Sequence, residues 1–262
     1  MKRNIIIAAA TAALSFVLSV PASGWGREGH ETIAKLAELN LDKSAKKTIE
    51  KYLGGHSIVY YAKWCDDIRK TPEYAFTHYY HTATTDAEFN YAPRESGDAI
   101  YAIENAVETL KDWKNLSDSL RWNELVMLVH FVGDMHCPSH VYYTGRDQNI
   151  DVRIEDAGHK FNTINLHGMW DYGLIKNNRF MSATEWATEL NQVLSKEQKK
   201  EMASGSPREW LHGNAVRCVS QFDLVSPDAK LGPDFVNFAM PLIETQITYG
   251  GIRLASILNS IF

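Results

Sequence analysis

Three kinds of hydrophobic pattern run along the chain. Ile5 to Val20 is an apolar run broken only by Thr11, Ser15 and Ser19, and it follows the basic Lys2 and Arg3. Pro21-Ala22-Ser23-Gly24 comes next, with the small Ala22 and Gly24 at positions −3 and −1 of a cut before Trp25. Short length and a good cleavage site favour a secretory signal peptide over a membrane anchor, so residues 1–24 are expected to be removed. Beyond Trp25 the dominant period is helical. Ile33, Leu36 and Ala37 share a face, as do Ile100, Ile103, Val107 and Leu110. Asp42 and Ser57 are candidate N-caps, and a long apolar segment runs from Arg121 to Met135. The third pattern is alternation. Ile150 to Ile154 and Lys160 to Ile164 alternate on either side of Asp156-Ala157-Gly158, which predicts a small β-hairpin. Helix resumes near Leu166 and closes the chain from Phe235 to Phe262. No repeat or linker divides residues 25–262, so the expectation is one mainly α domain with a minor β element.

Composition narrows the class. The 262 residues are 45% hydrophobic and 23% charged, which excludes disordered and collagen-like chains. Net charge is −5, and about −7 once Lys2 and Arg3 leave with the signal. That is not the basic surface of a typical nucleic-acid binder, so positive charge for a polyanion must be local, as bound metal ions could provide. Three cysteines are too few for a disulfide scaffold.

The chemistry lies among ten histidines. His130 and Asp134 sit four apart on one face of an apolar helix, and a buried carboxylate needs a partner such as a cation. His140 follows six residues later, past the helix-ending Pro138. His167 and Asp171 repeat the four-residue spacing. One such pair is most often a structural link. Two pairs with a third histidine close by favour a metal, and imidazole with carboxylate suits zinc. Asp66 beside Trp64, and His78 and His81 among aromatics, fit a solvated carboxylate and core histidines when taken alone. Cleavage before Trp25 would free an α-amine able to chelate a metal together with the Trp25 carbonyl, with His30 about one turn further on.

Taken in order, these residues resemble the S1/P1 nuclease family, zinc enzymes that cleave single-stranded DNA and RNA and remove 3′-phosphates. The likeness spans the whole mature chain. It runs from Trp-Gly-x-x-Gly-His at Trp25–His30 through Trp-x-Asp-x-x-Arg at Trp64–Arg69 and His78-Tyr79. It continues with His130-Phe-Val-Gly-Asp134-Met-His-Cys-Pro-Ser-His140 and Asn165-Leu-His167-Gly-Met-Trp-Asp171, and ends at Gly251–Asn259. The resemblance implies three Zn2+. Asp66, His78, His130 and Asp134 would hold one. Trp25, His30 and a bridging Asp134 would hold the second, and His140, His167 and Asp171 the third. It also implies water activated between the buried zincs, with Arg69 adding charge for the transition state, and products bearing 5′-phosphates. Asp66, Asp134 and Arg69 are thus the expected catalytic set. Single-stranded nucleic acid and nucleotides are the expected substrates, and a monomer without membrane attachment is the expected state.

Some positions depart from the family pattern. Tyr79 stands for the aromatic that stacks a base, but His81 replaces the Asp or Asn two residues later. Gly145-Arg-Asp-Gln-Asn149 lacks the paired glycines of a family loop, and Asn149 aligns with the family Asn at its end. Cys65 and Cys137 flank implied ligands and read either as a disulfide that braces the site or as two free buried thiols; Cys218 reads as a buried free thiol. His136, inside the motif, is expected to be core or supporting. Two rival readings remain. A zinc phospholipase C also begins with a chelating Trp, but its next His lies further away and its last pair ends in Glu. A non-catalytic exported zinc protein should have lost ligands, and none of the nine is lost.

Overall fold

The computed structural model describes residues 25–156 and 158–262. The expected signal segment, residues 1–24, lies outside the described residues. The chain is mainly α, as the periodicity predicts. Its helices are α1 (Arg27–Leu39), α2 (Lys43–Tyr52), α3 (Ile58–Tyr61), α4 (Trp64–Ile68), α5 (Ala99–Leu110), α6 (Asp118–Met135), α7 (Leu166–Gly168), α8 (Leu174–Asn178), α9 (Ala183–Gln192), α10 (Lys196–Ala203), α11 (Pro207–Cys218) and α12 (Pro233–Ile261). Tighter 3₁₀ turns at Pro72–His81, Pro138–His140 and Val219–Asp223 and a π turn at Met169–Gly173 connect them. Among the described residues no helix is long and apolar enough to cross a membrane.

Helix α6 is the axis of the fold. Every residue from Leu128 to Met135 is buried, because α5, α1 and α12 surround it. A helix enclosed on all sides needs no polar face, which is why its sequence reads as a continuous apolar run. Its last carbonyls have no partner within the helix. Asn214 of α11 donates to the Met135 carbonyl at 3.1 Å, and Gln246 of α12 donates to the His136 carbonyl at 3.1 Å. His136 bonds the Val132 carbonyl at 2.7 Å through Nδ1, leaving Nε2 to accept from Arg253 at 2.9 Å. Burial, with the Arg253 charge behind it, keeps that imidazole's pKa well below its ordinary value. The C-terminal end of α6 is therefore fixed by side chains of α11 and α12.

The expected hairpin is present as β3 (Asp151–Glu155) and β4 (Phe161–Asn165), antiparallel with Asp151 opposite Asn165. Two further pairings had no signal in the alternation. β5 (Lys230–Leu231) adds to β3 in parallel, and β1 (Ala83–Thr84) runs parallel to β2 (Val141–Tyr142). Asp42 and Ser57 do occupy N-cap positions, but neither side chain makes the capping bond.

Helices α1 and α12 approach closely where Leu36 covers Gly251. A Cβ at position 251 would stand 2.6 Å from Leu36 Cβ. Alanine normally stabilises a helix interior over glycine by about 1 kcal/mol. Here Gly251→Ala should instead destabilise the protein by about 1–3 kcal/mol through overpacking. Urea unfolding midpoints check this, and an unchanged or raised midpoint contradicts the close packing.

Candidate metal centre

The centre grows from one turn of α6. His130 and Asp134 are both fully buried, with His130 Nε2 3.2 Å from Asp134 Oδ2. His130 Nδ1 is engaged by the Ala62 carbonyl at 2.9 Å, so its Nε2 lone pair points into the site. On the same side lie Asp66, from α4, and His81. Asp66 Oδ1 is 3.8 Å from His130 Nε2, while His81 Nδ1 is 2.8 Å from Asp134 Oδ2. The other oxygen of Asp134 faces α1, where His30 Nε2 stands 3.2 Å from Oδ1 and the His30 ring stacks on His130 at 4.2 Å. That stack requires glycine on α6, since a Cβ at Gly133 would lie 2.8 Å from His30 Nδ1.

A third group adjoins these two. His140, at the end of the turn after α6, approaches Asp171 Oδ1 at 3.4 Å and His167 Nε2 at 3.1 Å, both through its Nε2. His167 Nε2 is 3.2 Å from Asp171 Oδ2. The Nδ1 of His140 is bonded to the His81 carbonyl, which ties this group to the first. The parallel β1–β2 pairing brings the two together, because His140 immediately precedes β2 and His81 lies two positions before β1. At the N-terminus Trp25 is fully buried against Gly29, where a Cβ would lie 2.8 Å from Trp25 Cβ. Gly26 N–H then donates to the Asp171 carbonyl at 2.6 Å, setting the start of the described chain beside the third group.

The donors fit metal ions. Ligands bound at about 2.0 Å around a tetrahedral zinc stand about 3.3 Å apart. His140 Nε2 is 3.1 Å from His167 Nε2 and 3.4 Å from Asp171 Oδ1, and His167 Nε2 is 3.2 Å from the other oxygen, Oδ2. Three groups place their donors within 4.8 Å: His30, His130 and Asp134; Asp66, His81 and His130; and Cys137, His140 and Asp171. Both oxygens of Asp66, Oδ1 of Asp134, Nε2 of His30 and Nε2 of His81 are buried without a hydrogen-bond partner. So many unpaired polar atoms in one pocket would be costly without a cation between them.

The electrostatics are those of tightly coupled opposite charges. Burial opposes ionisation of Asp134, but the charges of His130 and His140 outweigh it and hold the carboxyl well below its ordinary range. Asp171 is lowered in the same way, with His167 and His140 overcoming burial. Burial also opposes the charged form of His140, yet Asp134 and Asp171 raise it to about 9. His130 is raised as well, by Asp134 against burial. Burial dominates at His30 and His81, whose pKa values fall.

Most expected site residues therefore converge: Trp25, His30, Asp66, His130, Asp134, His140, His167 and Asp171. His78 does not. It is exposed, and His81, expected to meet a base, is buried at 4% in the position foreseen for His78. Two residues, Tyr79 and Tyr80, separate them, and only His81 reaches the junction where the turn passes into β1. Tyr79 is 50% exposed beside it. Asn149 is exposed, its backbone N–H bonded to Asp147, so Asp147 serves the turn. Arg69 is buried at 8% with Nη1 3.7 Å from Asp66 Oδ1. The Cys65–Cys137 disulfide is not formed, and Cys65, Cys137 and Cys218 are all buried free thiols. The Cys137 thiol instead contacts Asp171 Oδ1 at 3.3 Å and Ser139 Oγ at 3.2 Å. Burial raises the Cys137 pKa well above its usual value, and Asp171 adds to this. Sequence reasoning missed His81 as a member of the cluster. No local pattern pointed to it, because the β1–β2 pairing that places it spans two residues on each strand.

Comparison with known proteins agrees with this geometry. The S1/P1 Nuclease family model matches residues 25–262. The chain is 29% identical to nuclease P1 of Penicillium citrinum over 90% of this chain and 97% of that protein. It is 26% identical to nuclease S1 of Aspergillus oryzae over 100% of this chain and 98% of that protein. It is 26% identical to endonuclease 5 of Arabidopsis thaliana over 91% of this chain and 90% of that protein. A family match over every residue from Trp25 to Phe262, the stretch that folds around Asp134, makes this chain a member of the S1/P1 nuclease family.

Proposed function

We propose that the chain is an exported zinc-dependent endonuclease that hydrolyses single-stranded DNA and RNA to 5′-phosphate products and also removes 3′-phosphates. The observation that carries this reading is the set of unpaired buried donors around Asp134. Asp66, His81, His130 and Asp134 would hold one zinc. Trp25, His30 and Asp134 would hold a second, with Asp134 shared through its two oxygens. His140, His167 and Asp171 would hold the third, where His167 is the more exposed ligand, its side chain 23% accessible. When bound, the zinc ions supply Lewis-acid chemistry, acidifying water for attack on phosphorus and offsetting phosphate charge.

The chain's own groups do the rest. The Ala62 carbonyl fixes the His130 tautomer, and the His81 carbonyl does the same for His140. The packing around α6 keeps solvent from Asp134, so charge interactions there are strong. Arg69, one helical turn from Asp66, offers its guanidinium to a phosphate oxygen as negative charge builds. Tyr79 presents a half-exposed ring on which a base of an open strand can stack. His81 passes from base reader to metal ligand in this reading, and Asn149 remains a loop contact for substrate. Neutral imidazoles with three carboxylates suit zinc over harder ions.

Hydrolysis of single-stranded DNA should cease with a chelator and return with zinc, and phosphatidylcholine should not be cleaved. Elemental analysis of the processed protein should give three zinc ions per chain. Asp134→Asn should then lose two of them and lower activity by more than the roughly 10–100-fold typical of supporting residues. Separately, His81→Ala should lose a zinc while His78→Ala keeps all three; the reverse pattern would return the ligand role to His78. Finally, blocking cleavage before Trp25 should remove one zinc and leave the helical circular dichroism intact. Normal metal content in the uncut precursor would exclude the terminal amine as a ligand.

A further inference from the structure

The third group contains two side chains that no zinc reading requires. Ser139 Oγ–H donates to Asp171 Oδ1 at 2.8 Å, and the Cys137 thiol approaches the same oxygen at 3.3 Å. Cys137 is fully buried and Ser139 is 9% exposed. Both belong to the turn that carries His140, since Cys137 caps the 3₁₀ turn Pro138–His140. One short stretch of backbone thus presents a histidine toward His167 and two donors toward the carboxylate that His167 also meets.

We infer that Ser139, assisted by Cys137, is a positioning residue that clamps Asp171 Oδ1 and leaves Oδ2 as the metal-binding oxygen. The inference rests on the third zinc site proposed above. An ionised carboxylate can turn about its last bond, and each oxygen offers two lone pairs. With no second donor, either oxygen or both could face the ion. The Ser139 hydroxyl removes that freedom by occupying Oδ1, and the thiol meets the same oxygen. Oδ2 is left 3.2 Å from His167 Nε2, at the edge length a shared tetrahedral ion needs, while His140 Nε2 stands 3.4 Å from the clamped Oδ1. Direct ligation by Cys137 is the competing arrangement, since its Sγ and the donors of His140 and Asp171 lie within 4.8 Å of one another. The contact of the thiol with Asp171 Oδ1 at 3.3 Å is that of S–H donation in the clamp. Ligation by Cys137 would complete four protein donors at the third ion, closing the position that a phosphate oxygen needs. A hydrogen-bonding residue behind a ligand carboxylate commonly changes metal affinity by about 10–100-fold.

Zinc release from the processed protein is followed by titration with a chromophoric chelator, in the wild type and in Ser139→Ala, Ser139→Thr and Cys137→Ser. The expected result is that Ser139→Ala gives up one of three ions at about 10–100-fold less chelator than the wild type, with the other two unchanged. Ser139→Thr, which restores the hydroxyl, should behave as the wild type. Cobalt-loaded wild type should show d–d bands without a near-ultraviolet thiolate charge-transfer band. Equal release from Ser139→Ala and wild type overturns the clamp while leaving the three-zinc reading intact. A charge-transfer band that disappears in Cys137→Ser also overturns it, because Cys137 would then be a ligand. A wild type that never binds a third ion overturns the clamp and the site together.

Discussion

The structure turns on one buried carboxylate. Asp134 has no exposure, and its two oxygens face opposite ways, one toward His30 on α1 and the other toward His130 and His81. Taking such a group out of water is tolerable only with opposite charge close by. The surrounding histidines supply part of that compensation, and the depressed pKa of Asp134 reflects it. Five atoms nearby still lack partners, so the protein side is incomplete without cations. Much of the fold reads as the apparatus for holding this arrangement. Helix α6 is enclosed on all sides, its end is tied down by Asn214, Gln246 and Arg253, and Gly133 is small so that His30 can lie over His130.

The N-terminal motif has a packing origin as well as a chemical one. Trp25 is buried completely, which only glycine at position 29 permits. Gly26 lies against Asp171 and Tyr172, where a Cβ would be 2.9 Å from Tyr172 Cβ. The indole therefore anchors the start of the described chain, and the backbone bond from Gly26 to Asp171 fixes where that start points. An amine released at Trp25 would need no further search to reach the pocket, because the tryptophan supplies the position and the two glycines supply the room. On the proposed reading export and metal loading would be linked, since the final donor would exist only after processing.

The helices were legible because their apolar faces repeat at the helical period, and the β3–β4 hairpin because alternation brackets a turn. The parallel pairings were not legible. β1, β2 and β5 have two residues each, too short for a periodic signal, and a parallel partner can come from anywhere in the chain. The site shows the same division. His130, Asp134, His167 and Asp171 follow helical spacing, so the sequence displays them as pairs. The choice between His78 and His81 depends on where a 3₁₀ turn gives way to β1, which is set by the pairing of Ala83 with Val141, 58 positions away. The disulfide expectation failed for a similar reason. Cys65 and Cys137 both flank the pocket in sequence, but the Cys137 thiol points at Asp171, and proximity to one site does not imply proximity to each other.

Charge is the remaining puzzle, since an acidic chain is an unexpected partner for a polyanion. Three carboxylates, Asp66, Asp134 and Asp171, line the pocket, and the three divalent ions proposed above would outweigh them with neutral imidazoles. The pocket would then become strongly positive inside a protein of net negative charge. Field lines from a buried positive site are focused through its opening, while the acidic exterior repels phosphate everywhere else. Binding would therefore depend on threading one phosphate to the metals rather than on coating a basic surface. A duplex, held rigid and presenting two backbones, gains little from such a narrow attraction. A single strand can bend one phosphate inward and let a freed base meet a ring such as Tyr79. On this argument the proposed preference for open strands would follow from where the positive charge sits.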